Sequence, residues 1–171
     1  MGVSFFSVLE YEVNGLYMDF GRLSLSRNYE LFAAITFDDG GITENMPYPS
    51  RGLPSDLSLD SHQLFFSEPD VIKEYLEISR LEGEEETTLE EYAEGHGDWA
   101  VRESQTNKHL PTPETYNHSW LNLNELKEAL AYRNLSVDRL SADYRALMAA
   151  METLAKEYGP ERVRLVFCFG M

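Results

Sequence analysis

The chain has 171 residues, of which 43% are hydrophobic and 12% aromatic, and its 30 Asp and Glu outnumber its 14 Lys and Arg to give a formal net charge of -16. This apolar content is enough for one core, so we predict a single domain over residues 1–171 and exclude global disorder. The negative charge argues against direct binding to nucleic acid and to anionic membranes. It serves solubility, or it imitates a polyanion and attracts a basic protein.

The chain begins with a predicted β-hairpin. Residues 3–13 alternate between two faces, one of them almost wholly apolar, which is typical of a strand. Asn14-Gly15 follows and favours a tight turn because both residues tolerate positive φ. Residues 16–20 should therefore return as the second strand, and residues 28–35 should form a short helix.

The middle of the chain is dominated by punctuating residues and by acids. Several Gly and Pro residues over 36–58 predict an ordered but irregular loop. A Ser-Glu-Pro-Asp sequence then starts a helix that should reach about residue 80. The most acidic stretch is 82–94, and we interpret 82–109 as an acidic surface insertion. Residues 95–117 are rich in Gly, Asn, Thr and Pro and are predicted to be loop.

The last part of the chain carries the clearest periodicity. Capping residues predict a helix over 123–133, and an apolar stripe predicts another over 141–158. The run at 163–169 should be a central strand in which Cys168, the single cysteine, is buried and unreactive. We therefore expect an α+β fold, with a small antiparallel sheet made from the N-terminal hairpin and the C-terminal strand, and helices packed on one face.

Known signatures of targeting and chemistry are scarce. The first residues lack a basic region and a long apolar stretch, and no run approaches the ~20 apolar residues of a membrane helix, so a cytoplasmic protein is expected. No Walker loop, GxGxxG, GxSxG, HExxH or CxxC spacing occurs, so no cofactor and no catalytic or metal-binding residue is assigned. His96 and Asp98 with His118 have only weak potential as a metal site.

Candidate ligand-binding residues occur first around the helix that starts near residue 28. Arg27 and Asn28 would place a guanidinium beside exposed backbone N–H groups, an arrangement that suits a phosphate or carboxylate. Tyr29 could stack on a base. In the alternative interpretation, Arg27 pairs with a surface acid and Asn28 only caps the helix.

A second candidate segment is Pro-Ser-Arg-Gly-Leu-Pro at 49–54. Gly52 permits a conformation that other residues avoid, and the flanking prolines stiffen the segment. Arg51 would then be held ready for a ligand with little loss of side-chain entropy. A structural turn in which Arg51 bonds to loop carbonyls is the alternative.

The third candidate segment is His118-Ser119-Trp120, just before the predicted helix over 123–133. His118 could act as a base, a metal ligand or a hydrogen-bond donor, and Trp120 could stack on a base or cap the core. A His beside a Ser is not a catalytic dyad by itself, because an orienting acid and an oxyanion site are also needed. A buried Trp beside a hydrogen-bonded His is the alternative interpretation.

Four segments together resemble a known family: RNYELFAAI at 27–35, PYPSRGLPSDLS at 47–58, HSWLNLNEL at 118–126 and VRLVFCFGM at 163–171. The chain resembles uncharacterised small proteins of bacteriophages and prophage-bearing bacteria, which share RNYxLFA, PRGLPxDxS-like and HSWLxLxEL motifs. Members begin with a strand containing Asp-Ile-His where this chain has Ser-Phe-Phe at 4–6. The resemblance implies a phage accessory protein in the host cytoplasm and leaves the activity open.

Three functions are consistent with these features. The first is non-catalytic binding of a small anionic or nucleotide-like molecule, with Arg27, Arg51 and His118 converging on one concave surface. Sequestration of a host immune signal, an anti-defence role, would suit such a phage protein. The second is an acidic decoy for a basic host protein. The third is a small hydrolase that uses His118 with an acid such as Asp56. Association with further copies of the chain stays open.

Overall fold

The computed structural model describes residues 2–35, 46–103 and 108–171. The strands are β1 Ser4–Val13, β2 Leu16–Leu23, β3 Phe66–Ser67, β4 Arg102–Glu103, β5 Lys108–Pro111, β6 Thr115–Asn122 and β7 Val163–Gly170. The α-helices are α1 Tyr29–Ala34, α2 Leu59–Phe65, α3 Pro69–Leu81, α4 Leu89–His96, α5 Leu123–Tyr132 and α6 Ala142–Tyr158. Short 3-10 helices occupy Val137–Arg139 and Pro160–Arg162.

The main sheet has four antiparallel strands in the order β2-β1-β7-β6. The predicted hairpin is present, and Asn14 and Gly15 have φ of 52° and 81°, the left-handed conformations that a tight turn of this kind requires. Strand β7 is central and all of its residues are buried, as its near-continuous apolar run predicts. These elements confirm the α+β fold class.

Helices α1, α5 and α6 cover one face of the main sheet. Their apolar side chains meet Phe5 and Leu9 of β1 and Phe167 of β7 in the larger core. On α6, Tyr144, Leu147, Met148 and Met151 are buried at the spacing of one helical face. The stripe predicted from the sequence is therefore the surface by which α6 packs on the sheet.

The opposite face of the sheet is also covered. Val8, Val166 and Cys168 pack there against Leu53 and against Phe65 at the end of α2. Burial raises the pKa of the Cys168 thiol, which agrees with the expected structural role of this residue. The irregular segment before α2 thus forms part of a second, smaller core.

Several elements differ from the sequence-based prediction. The region predicted as loop over 95–117 contains β5 and the beginning of β6, and residues 118–120 lie inside β6. Helix α2 was not predicted. The loop prediction for 36–45 lies outside the described residues. The strands within 95–117 and helix α2 were not predicted for the same reason. These elements depend on contacts with distant segments, and their own hydrophobic patterns are weakly periodic.

The acidic region is attached to the domain by its own small core. Ile72 of α3, Ala93 of α4 and Leu110 of β5 are buried together, and β5 lies between β3 and β4 in a small antiparallel sheet. Most residues of 82–91 are exposed, as expected for a surface segment. Within the described residues, no helix combines the length and the apolar character needed to cross a membrane.

A buried ion pair joins the two central strands to the segment before α2. Arg164 of β7 is 2% exposed and donates from Nε to Glu10 of β1 at 2.6 Å, while Glu10 is fully buried. Arg164 also donates to the carboxylate of Asp56 at 2.9 Å. The other oxygen of Glu10 accepts from the Ser58 N–H at 2.8 Å and from the Ser61 hydroxyl at 2.6 Å. The buried Glu10 and Arg164 therefore compensate each other, while Asp56, the second carboxylate on Arg164, is partly exposed to solvent.

We expect the replacement Arg164→Met to lower the free energy of unfolding by about 3–5 kcal/mol, because it leaves Glu10 buried without its counter-charge. The double variant E10Q/R164M should recover part of this loss because no charge then stays buried. Urea unfolding measures both effects. Arg162→Met, at a nearby exposed position, is the matched control, and equal unfolding midpoints for R162M and R164M would contradict the prediction.

Candidate functional site

Strand β6 is distorted where it carries His118. Tyr116 pairs with Phe169 and Ser119 with Phe167, so three steps along β6 face two steps along β7. The extra residue is a β-bulge, and Asn117 within it has a left-handed φ of 50°. Such bulges often redirect side chains next to functional sites.

The segment at 50–52 binds the backbone of this bulge. The carbonyl of His118 accepts the Gly52 N–H at 2.9 Å and the Ser50 hydroxyl at 2.8 Å. Gly52 has φ of +74°, and a Cβ built there would lie 2.2 Å from Cδ1 of Trp99. Position 52 therefore requires glycine for two reasons: the backbone has a left-handed conformation, and the Trp99 indole occupies the space of a side chain.

Three aromatic rings meet above Gly52. The ring centroids of Trp99 and His118 are 4.8 Å apart, those of His96 and Trp99 6.3 Å, and those of His96 and His118 6.1 Å. His96 is the last residue of α4, and its Nδ1–H donates to the Tyr92 carbonyl at 2.8 Å. This bond fixes the tautomer of the uncharged imidazole, in which the lone pair is on Nε2.

His118 has the opposite tautomer from His96, with its proton on Nε2. The Thr115 hydroxyl donates its one proton to the Thr112 carbonyl, so it must accept from Nε2–H of His118, which lies 3.0 Å away. The lone pair of His118 is then on Nδ1. His118 is only 3% exposed, and burial, assisted by the nearby His96, lowers its pKa to about 3. The ring is therefore neutral at physiological pH.

A cavity of about 590 Å³ opens beside these rings. We call it the histidine cavity, and it is lined by Ser50, Arg51, Gly52, Gly95, His96, Trp99, Thr115, Tyr116, Asn117 and His118. Its walls come from the segment before α2, from the end of α4 and its following turn, and from β6. Aromatic faces and fixed hydrogen-bonding groups thus surround one open space.

Arg51 lines the histidine cavity, but its guanidinium is engaged elsewhere. It donates to both carboxylate oxygens of Glu125, at 3.1 and 2.6 Å, and to the Trp120 carbonyl, at 3.1 and 2.7 Å. It also stacks on the Trp120 ring, with Cζ 3.6 Å from the centroid. The charge of Arg51 is therefore largely neutralised by the protein itself.

The predicted site residues fall into two groups. Arg51, Gly52 and His118 line one cavity, with Ser119 buried beside them and Trp120 beneath Arg51. The other three candidates, Arg27, Asn28 and Tyr29, do not line this cavity.

The Arg27–Tyr29 segment lies against a different part of the fold. The Arg27 guanidinium covers Gly2, where a Cβ would be 1.8 Å from Nη1. Asn28 caps α1 by accepting the Leu31 N–H at 3.0 Å, and Tyr29 is 51% exposed. Leu31 belongs to the larger core, whereas Leu53 beside Gly52 belongs to the smaller one. Arg27 and Arg51 therefore do not share the histidine cavity.

Two important residues of the histidine cavity were missed by sequence reasoning. Trp99 falls within the segment predicted as loop over 95–117, and the sequence gives His96 only weak potential as a metal ligand. The sequence Gly-His-Gly-Asp-Trp at 95–99 could have indicated them, because its two aromatic rings are separated by residues that favour a tight turn. Within the described residues, no group of three or more His, Cys, Asp or Glu could hold a metal ion.

The hydrolase hypothesis required Asp56 beside His118. Instead, the carboxylate of Asp56 accepts from Arg164 at 2.9 Å, and Nε2 of His118 contacts the Thr115 hydroxyl.

Compared with known proteins, the chain matches no family model, no curated protein and no solved structure. Its function must therefore be inferred from its own residues.

His118 should make the fold sensitive to acid. Its folded pKa of about 3 lies below the unfolded value of 6.5, so between these two values the unfolded chain binds more protons and stability falls as the pH falls. From pH 7 to pH 5 the loss should be about 2 kcal/mol. His118→Gln should remove this part of the pH dependence, as measured by urea unfolding at both pH values.

The wild-type slope also contains a contribution of the same sign from His62, whose pKa is lowered chiefly by burial. His62→Gln is the matched control and should leave the contribution of His118 to the pH dependence of stability unchanged. An NMR titration of the wild-type ring gives an independent check. A His118 ring that becomes protonated between pH 8 and pH 5 would contradict the prediction.

Proposed function

We propose that the protein binds, without catalysis, a small molecule with a planar heteroaromatic ring, nucleotide-like in chemistry, in the histidine cavity. The observation that carries this proposal is the meeting of Trp99, His96 and His118 around one cavity with the tautomers of both histidines fixed. The volume of about 590 Å³ falls within the ~300–1,000 Å³ typical of ligand pockets.

The rings match the two recognition features of a nucleobase. The face of a base would stack on Trp99, a contact worth ~1–3 kcal/mol. The lone pairs on Nε2 of His96 and Nδ1 of His118 accept hydrogen bonds, so they complement the amino and imino N–H groups at the edge of a base. Since these acceptors are fixed before binding, little conformational entropy is lost.

The charge distribution favours the heteroaromatic part of such a ligand over an anionic part. His118 is neutral, and Arg51 is already paired with Glu125 at 2.6 Å. A phosphate in the histidine cavity would therefore meet no uncompensated cation among these groups. The proposed ligand accordingly enters with its ring, and any phosphate remains towards the mouth of the cavity.

The same geometry supports binding over hydrolysis. General base catalysis needs a group whose pKa is near the working pH, and burial lowers the pKa of His118 to about 3. The acid proposed to assist it, Asp56, is held by Arg164 at 2.9 Å.

The resemblance to phage proteins suggests a biological role for a non-catalytic binder. That role is the sequestration of a nucleotide-like host immune signal.

Fluorescence can test the proposal because Trp99 and Trp120 are the two tryptophans of the chain. In the variant Trp120→Phe, Trp99 alone reports, and we expect saturable quenching by adenosine or another nucleoside but not by ribose. Adding His96→Gln should weaken binding about 10-fold, because a fixed acceptor is lost. His62→Gln, which lies outside the histidine cavity, should leave the affinity unchanged.

Two glycine variants provide a matched pair for the same titration. Gly52→Ala places a Cβ 2.2 Å from Trp99 and should abolish nucleoside binding. In Gly21→Ala the added Cβ has no atom within 4 Å, so binding should be unchanged. Circular dichroism establishes that each variant is folded. If neither adenosine, guanosine, cytidine nor uridine binds the parent protein, the proposal is wrong.

The acidic decoy is a second candidate, favoured by the exposure of one segment. Glu82, Glu84, Glu85, Glu86 and Glu90 are all exposed, and no ion pair of theirs occurs within the described residues. A dense row of uncompensated carboxylates resembles the charge of a nucleic acid backbone. This surface would attract a basic protein independently of the histidine cavity.

A lysine-rich peptide is the probe for the decoy hypothesis. Changing Glu82, Glu84, Glu85 and Glu86 to Gln should weaken its binding about 10-fold at low salt, because local charge controls such association. A control variant in which four acids outside the 82–90 segment, at 128, 152, 157 and 161, are changed to Gln has the same net charge. Equal weakening by both variants would indicate bulk charge and contradict a decoy surface.

A further inference from the structure

A second cavity, of about 360 Å³, lies between the start of α1 and the connection from α5 to α6. We call it the arginine cleft, and it is lined by Asn28, Glu30, Arg133, Asn134, Leu135, Ser136, Arg139 and Leu140. None of these residues lines the histidine cavity. The arginine cleft is therefore a separate feature with a different chemical character.

Arg133 and Arg139 are two cations of this acidic chain that line the same cavity. Within the described residues neither forms an ion pair, whereas Arg22, Arg51 and Arg164 each bind a carboxylate. Both are exposed and line one concave surface. Two guanidinium groups that line one cavity without a carboxylate partner leave hydrogen-bonding capacity for an external anion.

Helix capping explains only one of the two arginines. Arg133 is the C-cap residue of α5, where a positive charge is favoured by the helix dipole. Arg139 ends the 3-10 helix at Val137–Arg139 and faces the same space from another element. Glu30 is the single acid in the lining, so the two arginines outweigh it.

The remaining lining residues supply neutral donors and an apolar floor. Asn28 uses Oδ1 to cap α1, so the other arm of its amide is the donor Nδ2. Ser136 precedes the 3-10 helix without a side-chain capping bond, which leaves its hydroxyl available. Leu140 is buried and Leu135 packs against the larger core. The arginine cleft thus combines cations, polar donors and a small apolar surface.

We propose that the arginine cleft binds the oxyanion of a small phosphorylated or carboxylated molecule, with Arg133 and Arg139 as the charged contacts and Asn28 and Ser136 as neutral donors. A planar guanidinium offers paired N–H groups that match two oxygens of a phosphate or a carboxylate. The small body of the ligand would lie over Leu135 and Leu140. This proposal does not depend on the function of the histidine cavity.

The test is an NMR titration of the full chain with inorganic phosphate and, separately, with succinate at constant ionic strength. We expect saturable shifts confined to amides around 28–30 and 133–140. A response to phosphate alone assigns a phosphorylated ligand, and a response to succinate alone assigns a carboxylated one. The absence of a saturable shift with either probe would overturn the proposal.

Three charge variants separate a built site from general electrostatics. R133Q and R139Q should each raise the Kd about fivefold or more, because one charged hydrogen-bonding contact is lost. E30Q should lower the Kd, because it removes the acid of the arginine cleft. Arg145→Gln removes the same charge from an exposed position outside the cleft and should change the Kd less than twofold. Weakening by R145Q equal to that by R139Q would show bulk attraction and overturn the proposal.

Discussion

The buried contact between Glu10 and Arg164 is the interaction on which the rest of this structure depends. Removing two charges from water costs several kcal/mol for each, and only complete hydrogen bonding offsets that cost. The two residues are register partners in β1 and β7. A slip of β1 by one residue against β7 would place the two charges on opposite faces of the sheet, so the ion pair and the apolar alternation specify the same register. Strand pairing and charge burial therefore reinforce each other.

This ion pair also determines where the irregular segment before α2 must lie. Glu10 needs the Ser58 N–H and the Ser61 hydroxyl, and Arg164 needs the carboxylate and the carbonyl of Asp56. The segment around 56–61 therefore closes over the sheet. Without it, the two charges would be buried with unsatisfied hydrogen-bonding groups.

The rest of the same segment is fixed at further points, which builds the histidine cavity. Arg102 donates to the carbonyls of Leu53 and Pro54, at 2.7 and 3.0 Å. Gly52 donates to the bulged strand β6 at 2.9 Å. Trp99 then fills the space that a side chain at position 52 would need. A chain path imposed by a buried charge thus becomes one wall of the candidate site.

Sequence patterns predicted the elements whose burial is periodic. The alternation of β1, the Asn14-Gly15 turn and the stripe of α6 each follow from local rules, and the structure contains all three. Strand β6 was missed because its polar residues, including His118, are buried against partners far away in sequence. No local pattern reports such contacts.

The same distinction applies to the candidate sites. Arg51, Gly52 and His118 were singled out by residue type and share one cavity, but Trp99 joins them through a long-range contact with a glycine. The predicted convergence of Arg27 with Arg51 assumed that two helix-start or loop motifs must share a surface. They belong to segments that pack in different cores, which residue type cannot indicate.

Glu125 couples the wall of the histidine cavity to the first turn of α5. Its carboxylate accepts the Asn122 N–H at 2.9 Å as part of a capping box, and it also holds Arg51 at 2.6 Å. Pulling Arg51 away therefore weakens the start of α5, and fraying of that helix releases Arg51. The two segments should open as one cooperative unit, so their amide protons should report a common opening free energy in hydrogen exchange.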